Sequence, residues 1–172
     1  MQYRRAFVPG GTYFFTVVTA QRRPIFSDDR TVELLRQALL HVKKKRPFTV
    51  DAMVVLPDHL HCLWTLPPED SDYPLRWRLV KTWVTRHHDS SDAGRTDRSI
   101  WQSRYWEHAI RDELDYRQHV EYIHYYNPVK HEYVRRPAEW PHSSFHRYVK
   151  KSIYSADWGS TEPLLGRKVG RE

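Results

Sequence analysis

Cysteine is almost missing from these 172 residues, with Cys62 standing alone. A lone thiol excludes an intrachain disulfide framework and any zinc site built from several thiolates. Long hydrophobic runs are also missing: no apolar stretch approaches the roughly 20 residues that span a bilayer, and no signal peptide precedes Arg4-Arg5. The cytoplasm is therefore the expected compartment. Negative charge is scarce, since 21 Asp and Glu face 28 Lys and Arg, giving a net charge of +7 before any of the 11 histidines is protonated. With a pI of about 9.6, the chain favours a polyanionic partner, although a basic surface also serves solubility. A mass of 20.8 kDa suits one domain with a real core, and no internal repeat is visible.

What is present falls into recognisable elements. Thr12 to Ala20 is aromatic and β-branched and follows Pro9-Gly10-Gly11, so it reads as a strand after a turn. Ser27-Asp28-Asp29 caps a helix with Leu35, Ala38, Leu39 and Val42 at helical spacing, and Lys43-Lys44-Lys45-Arg46 suits its C-terminus. Phe48 to Leu56 and Leu60 to Leu66 form a hairpin across Pro57-Asp58. Leu75 to His87 reads as a helix with Leu79, Trp83, Trp77 and Val80 inward and Arg76, Arg78, Lys81 and Arg86 outside that stripe. Asp89 to Asp97 is expected to be a mobile loop, Ile100 to Ile110 a fourth strand, and Asp112 to Tyr126 a third helix stopped by Asn127-Pro128. The order predicts an α+β fold: a ferredoxin-like sandwich, with a four-stranded antiparallel sheet, helices on one face and a C-terminal extension. Residues 1–154 are expected to form the domain and 155–172 a weakly ordered basic tail.

The chemistry concentrates in Asp58-His59-Leu60-His61-Cys62-Leu63-Trp64. Side chains two apart on a strand share a face, with Cα atoms about 7 Å apart, so His59 and His61 can converge on one metal ion. The same spacing also accommodates one ring packed in the core and the other bonded to a carbonyl. In the third helix Tyr116, Val120 and Ile123 make the core stripe. At about 100° per residue Tyr122 lies roughly 120° from Tyr116, and is expected to project from the flank.

As a set, LPDHLHCLW, IWQSRYWEHAIRDELDYRQHVEYIHYYNPVKH and the opening YRRAFVPGGTYFFTV resemble the REP-associated tyrosine transposases, relatives of the single-tyrosine HUH transposases of bacterial insertion sequences. The resemblance covers residues 2–150 and implies a single-strand DNA endonuclease and strand transferase acting on REP-type hairpins. It implies that His59 and His61 hold a divalent metal, Mg²⁺ or Mn²⁺, and that Tyr122 attacks phosphorus to leave a 5′-phosphotyrosine and a free 3′-OH. A phenol of pKa near 10 is a weak nucleophile at neutral pH and needs help from the metal or nearby cations. All catalytic groups in one chain suit a monomer, although the insertion-sequence relatives are dimers.

One departure concerns the third ligand. Relatives carry Gln or Asn about one helical turn after the tyrosine, whereas one extra residue separates Tyr122 from Asn127 here. In a regular helix Asn127 is rotated about 140° away from Tyr122, and a π-bulge or a loosened last turn would restore it. Asn127 is expected as the third metal-proximal side chain, with His124 or Tyr126 as the alternatives. DNA contacts are expected from Arg4, Arg5, Arg22, Arg23, Lys43, Lys44, Lys45, Arg46, Arg76, Arg78, Lys81, Arg86 and Arg104, with Trp77, Trp101, Tyr105 and Trp106 available to stack on unpaired bases. Two other functions fit the same residues: a non-catalytic binder of structured single-stranded nucleic acid, and a metal hydrolase that activates water while Tyr122 only positions.

Overall fold

A single four-stranded antiparallel sheet carries every element that reaches the histidines. The computed structural model describes residues 5–88, 99–163 and 169, so Arg4 and the polar segment 89–97 lie outside the described residues. The elements are β1 (Thr12–Val18), α1 (Asp29–Lys45), β2 (Thr49–Leu56), β3 (His59–Thr65), α2 (Tyr73–His87), β4 (Trp106–Ala109), α3 (Glu113–Glu121), a π-helical turn (Tyr122–Tyr126), α4 (Asn127–Lys130) and α5 (Phe145–Lys150). The sheet order is β2-β3-β1-β4, the ferredoxin-like arrangement expected from the alternation of strands and helices.

Period-two alternation divides the two faces. Tyr13, Phe15 and Val17 of β1 and Leu60, Cys62 and Trp64 of β3 pack against α1 and α2 in the larger core. There the Trp64 and Trp77 rings stack at 4.1 Å. The Asp28 carboxylate accepts from Arg30 N and starts α1, as its sequence predicts. Phe14, Ala52, Val54, Leu56 and Leu63 face the opposite way and are covered by Val120, Tyr122, Ile123 and Tyr126. The chain then returns along the outer edge of β2, where Val55 N donates to His142 O and Ser144 N to Met53 O, so that edge is not left open.

Several local expectations need correction. In α2 the inward side chains include Tyr73, Trp77, Val80 and Val84, whereas Leu79 is exposed, because the helix begins at Tyr73 and its stripe is turned accordingly. The fourth strand shrinks to Trp106–Ala109, with Trp101 only bridging to Thr19. Asn127-Pro128 does not stop the third helix. Asn127 N–H bonds back to Tyr122 O across five residues, and this wide turn lets α4 continue with Pro128 in its first turn. In the C-terminal segment the Trp158 ring stacks on Tyr154 at 4.1 Å and Pro163 O accepts from Tyr126 Oη, while Ser155, Ala156 and Asp157 are exposed.

Candidate metal and nucleophile site

His59 opens β3 immediately after the Pro57-Asp58 turn, and both histidines point toward the tyrosine helix rather than toward α1 and α2. His59 Nδ1 donates to Asp58 Oδ1 at 2.6 Å. Accepting that proton requires an ionised carboxylate. Burial works against ionisation of Asp58, but the bonds from His59 and Arg22 outweigh it and hold its pKa below the usual range. With Nδ1 engaged, the His59 lone pair sits on Nε2. His61 Nδ1 is bonded to Thr16 Oγ1 at 2.8 Å, the residue directly opposite it in the β1–β3 register. The two rings lie 5.0 Å apart, nearly perpendicular.

Tyr122 does not project from the flank, as expected, but joins the smaller core. It is 5% exposed, its ring 5.3 Å from that of His61 and edge-on to Phe14. The error comes from measuring its angle against a single core stripe: this helix is buried by the sheet on one side and by the returning chain on another. A cavity of about 410 Å³ borders Tyr122, Tyr125, Tyr126, Val129 and Lys130 together with Glu162 and Val169 of the C-terminal segment.

The expected π-bulge is present, spanning Tyr122–Tyr126. One widened turn brings Asn127 beneath Tyr122, and His131 follows four residues later on the same side. This ridge meets the two histidines in turn: Tyr122 touches His61, and the His131 ring lies 5.6 Å from His59. Asn127, between those two residues in the chain, is fully buried, with Nδ2 donating to Tyr122 O at 2.9 Å. Asn127 Oδ1 and His59 Nε2 are buried polar atoms with no hydrogen-bond partner among the described residues. A buried acceptor left so is costly unless something absent from the protein chain satisfies it. Two imidazoles and an amide oxygen, completed by oxygens of a phosphate, suit Mn²⁺ well and Mg²⁺ adequately. The alternatives to Asn127 are committed elsewhere: His124 Nε2 is bonded to Ser144 Oγ at 2.7 Å and Tyr126 Oη to Pro163 O.

Another His/Asp cluster, His108, Asp115 and His119, keeps its ligand atoms within 4.8 Å of one another. Its carboxylate is already engaged. Asp115 Oδ2 accepts from His108 Nε2 and from Arg111 N and Nε, and His119 Nδ1 donates to the Asp115 carbonyl. Burial opposes the Asp115 charge, yet these bonds outweigh it and hold its pKa at about 2. The cluster ties β4 to α3 behind Phe14, which packs on both His61 and His119.

The expected DNA-contacting cations separate into distinct groups. Arg76 is 1% exposed and forks onto the Asp70 carboxylate at 2.6 and 3.1 Å, with further bonds to Asp72 O and Pro47 O, so it anchors structure rather than meeting DNA. Arg23 is pinned to Ser99 O and Ala20 O. Lys81 Nζ donates to Gln102 O, and burial, with Arg5 repulsion adding, lowers its pKa to about 8. Lys43, Lys44, Lys45 and Arg46 are exposed but end α1 near the start of β2, an eight-residue strand and so roughly 25 Å from the His59 end. Arg5, Arg78, Arg86 and Arg104 are exposed. Of the aromatic residues expected to stack on bases, Trp77 and Trp101 are buried and Tyr105 is half-buried, which leaves Trp106 as the exposed one. Among the described cations of this set, Arg22 reaches the site itself, through Asp58.

Asp58, Thr16 and His131 escaped notice in the sequence. Asp58 had a signal, being a carboxylate directly before His59. Thr16 had none, since only the strand register reveals it, and His131 lay beyond a proline taken as the end of the helix.

The family described as IS200-like transposases matches residues 8–126. A REP-associated tyrosine transposase of Escherichia coli K12 is 46% identical over 170 residues, covering 98% of both chains. A relative from Haemophilus influenzae is 43% identical over 169 residues, covering 94% of this chain and 95% of its own. A solved REP-associated tyrosine transposase bound to a REP hairpin superimposes with a TM-score of 0.81 at 42% identity, over 99% of each chain.

Proposed function

The chain belongs to the family of IS200-like transposases, and we propose on that premise that it is a metal-dependent single-strand DNA nickase and strand transferase for REP-type hairpins. The observation that carries this reading is the packing of Tyr122 on His61 and of His131 on His59, with the buried Asn127 between them in the chain. His59 Nε2, His61 Nε2 and Asn127 Oδ1 would hold Mg²⁺ or Mn²⁺. When bound, such an ion polarises the scissile phosphate and offsets charge that develops on its oxygens.

Asp58 fixes the tautomer of His59 and Thr16 holds the tilt of His61, so the ligand set is formed before substrate arrives. Tyr122 Oη attacks phosphorus, the P–O3′ bond breaks, the phenolic proton leaves, and the 3′ oxygen departs as a hydroxyl. The tyrosyl phosphodiester conserves the bond energy, so rejoining to a 3′-OH needs no ATP. Phe14 and His61 hold the Tyr122 ring from two sides, which limits its rotation and favours in-line approach. Every group named lies in one chain, consistent with action as a monomer.

Hairpins labelled at the 5′ or the 3′ end, incubated with Mg²⁺, test this. A covalent adduct retaining the DNA 3′ of the nick, and abolished by Tyr122→Phe, is expected. Cleavage that survives Tyr122→Phe would instead establish water as the nucleophile, and hairpin binding without cleavage would establish a binding module.

A further inference from the structure

Two exposed side chains converge on the rim of the site from separate loops, each aimed by a left-handed backbone. Gln21 and Arg22 are consecutive non-glycine residues at φ 55° and 51°, and Glu132 sits at φ 59° just before Tyr133. L-residues adopt this region against a steric penalty, and such conformations gather at ligand clamps. Arg22 contacts Asp58 Oδ2 at 3.3 Å while its side chain stays 55% exposed. An ion pair that open contributes little to stability, so it does not by itself account for the strained loop. Tyr133 is 42% exposed, its ring 5.2 Å from Trp140 and 6.2 Å from His131. Trp140 in turn is fixed by donating Nε1–H to Val55 O. Arg22 reaches Asp58, which holds His59 at 2.6 Å, and the His131 ring lies between those of Tyr133 and His59, so both side chains border the same imidazole. A groove of about 590 Å³ opens beside Tyr133, lined also by Val129, Val134 and Arg135, and Val129 borders the Tyr122 cavity as well.

We propose that Arg22 and Tyr133 form a nucleotide subsite beside the scissile phosphate, with Arg22 binding a flanking phosphate and Tyr133 stacking on the adjoining unpaired base. This rests on the DNA-nicking function proposed above. Guanidinium and phosphate make a forked, charge-assisted contact, and Asp58 retains its stronger bond to His59 when Arg22 turns away. The Tyr133 ring, backed by Trp140, offers a face that accepts any base. The pair therefore positions the strand and does not take part in bond making.

The test is a double-mutant cycle between protein and DNA. Hairpins carrying one uncharged methylphosphonate at each phosphate flanking the nick, or one abasic site at each flanking nucleotide, are compared on wild type, Arg22→Ala, Arg22→Lys, Tyr133→Ala and Tyr133→Phe. Neutralising one flanking phosphate is expected to weaken wild type about tenfold to a hundredfold and leave Arg22→Ala nearly unaffected, as expected for a charge-assisted hydrogen bond. One abasic position should behave likewise with Tyr133→Ala, with Tyr133→Phe retaining the wild-type response. Effects that simply multiply at every flanking position would overturn the subsite. The cycle is scored on hairpin affinity, whereas the nicking function is scored on adduct formation with unmodified DNA, so either can fail alone. Arg22→Lys guards against a folding defect, since it keeps the charge and should recover part of the coupling.

Discussion

Replacing Asp58 by Asn exchanges one carboxylate oxygen for an NH₂ group and removes the charge that fixes His59. In wild type Oδ1 accepts from His59 Nδ1 at 2.6 Å, which leaves Nε2 as the ligand atom. An amide in the same place accepts less strongly, and in its flipped orientation it donates to Nδ1, which moves the imidazole proton to Nε2 and blocks coordination. A hydrogen bond to a charged group contributes about 1.5–3 kcal/mol, and losing such an outer partner typically weakens metal binding tenfold to a hundredfold, or about 1.4–2.8 kcal/mol. The accompanying loss of the exposed Arg22 contact adds little. Global stability should change less, because Thr19 N and Oγ1 both hold the Asp58 carbonyl, which the substitution leaves intact. Free Mn²⁺ measured by electron paramagnetic resonance during titration gives the affinity directly, and urea unfolding gives the control. Unchanged Mn²⁺ affinity in a folded Asp58→Asn protein would refute the role assigned to Asp58 and weaken the ligand role of His59.

Three other outcomes follow from the same geometry. His124 is buried between Ser144 and Tyr154, and burial, with Arg147 and His146 adding, lowers its pKa to about 3 from the ordinary 6.5. A depressed value means the unfolded chain binds the proton first, so its contribution is whole above pH 6.5 and is lost as pH falls toward 3; urea unfolding at pH 5 should show about 2 kcal/mol less stability than at pH 7 from this group, a difference absent in His124→Gln. Arg76→Ala should cost about 2–3 kcal/mol by removing its bonds to the part-exposed Asp70 carboxylate and to the carbonyls of Arg46, Pro47 and Asp72, while leaving the salt dependence of hairpin binding by the folded protein unchanged. Asn127→Ala should lower Mn²⁺ affinity at least tenfold and cost about 1 kcal/mol of stability for its bond to Tyr122 O, with hairpin affinity in the absence of metal retained.

The histidine pair was legible because a strand has a strict period of two, so the shared face of His59 and His61 needs no tertiary information. The fold order was legible for the same reason: period two and period 3.6 alternate clearly, and Asp28 marks the start of α1. The π turn was legible because the family resemblance sets an amide one helical turn after the tyrosine, and the one surplus residue before Asn127 has few places to go in a helix. Tyr122 was misjudged because helical angles locate a side chain relative to its neighbours and say nothing of how many sides of the helix are covered. Arg76 was misjudged because its partners, Asp70 and the carbonyl of Pro47, come from two loops that sequence spacing cannot join. The same holds for Thr16, whose value lies in the register that sets it opposite His61.

The central claim is that Tyr122 and no other of the chain's 11 tyrosines forms the covalent bond to DNA. Wild-type protein incubated with a nicked-product-trapping hairpin and Mn²⁺, digested with nuclease and trypsin, and read by tandem mass spectrometry tests it most directly. The proposed function predicts a nucleotide phosphodiester on the peptide containing Tyr122, with the fragment ions placing it on that residue rather than on Tyr125 or Tyr126. An adduct on another tyrosine, or cleaved DNA with no modified peptide, would contradict it.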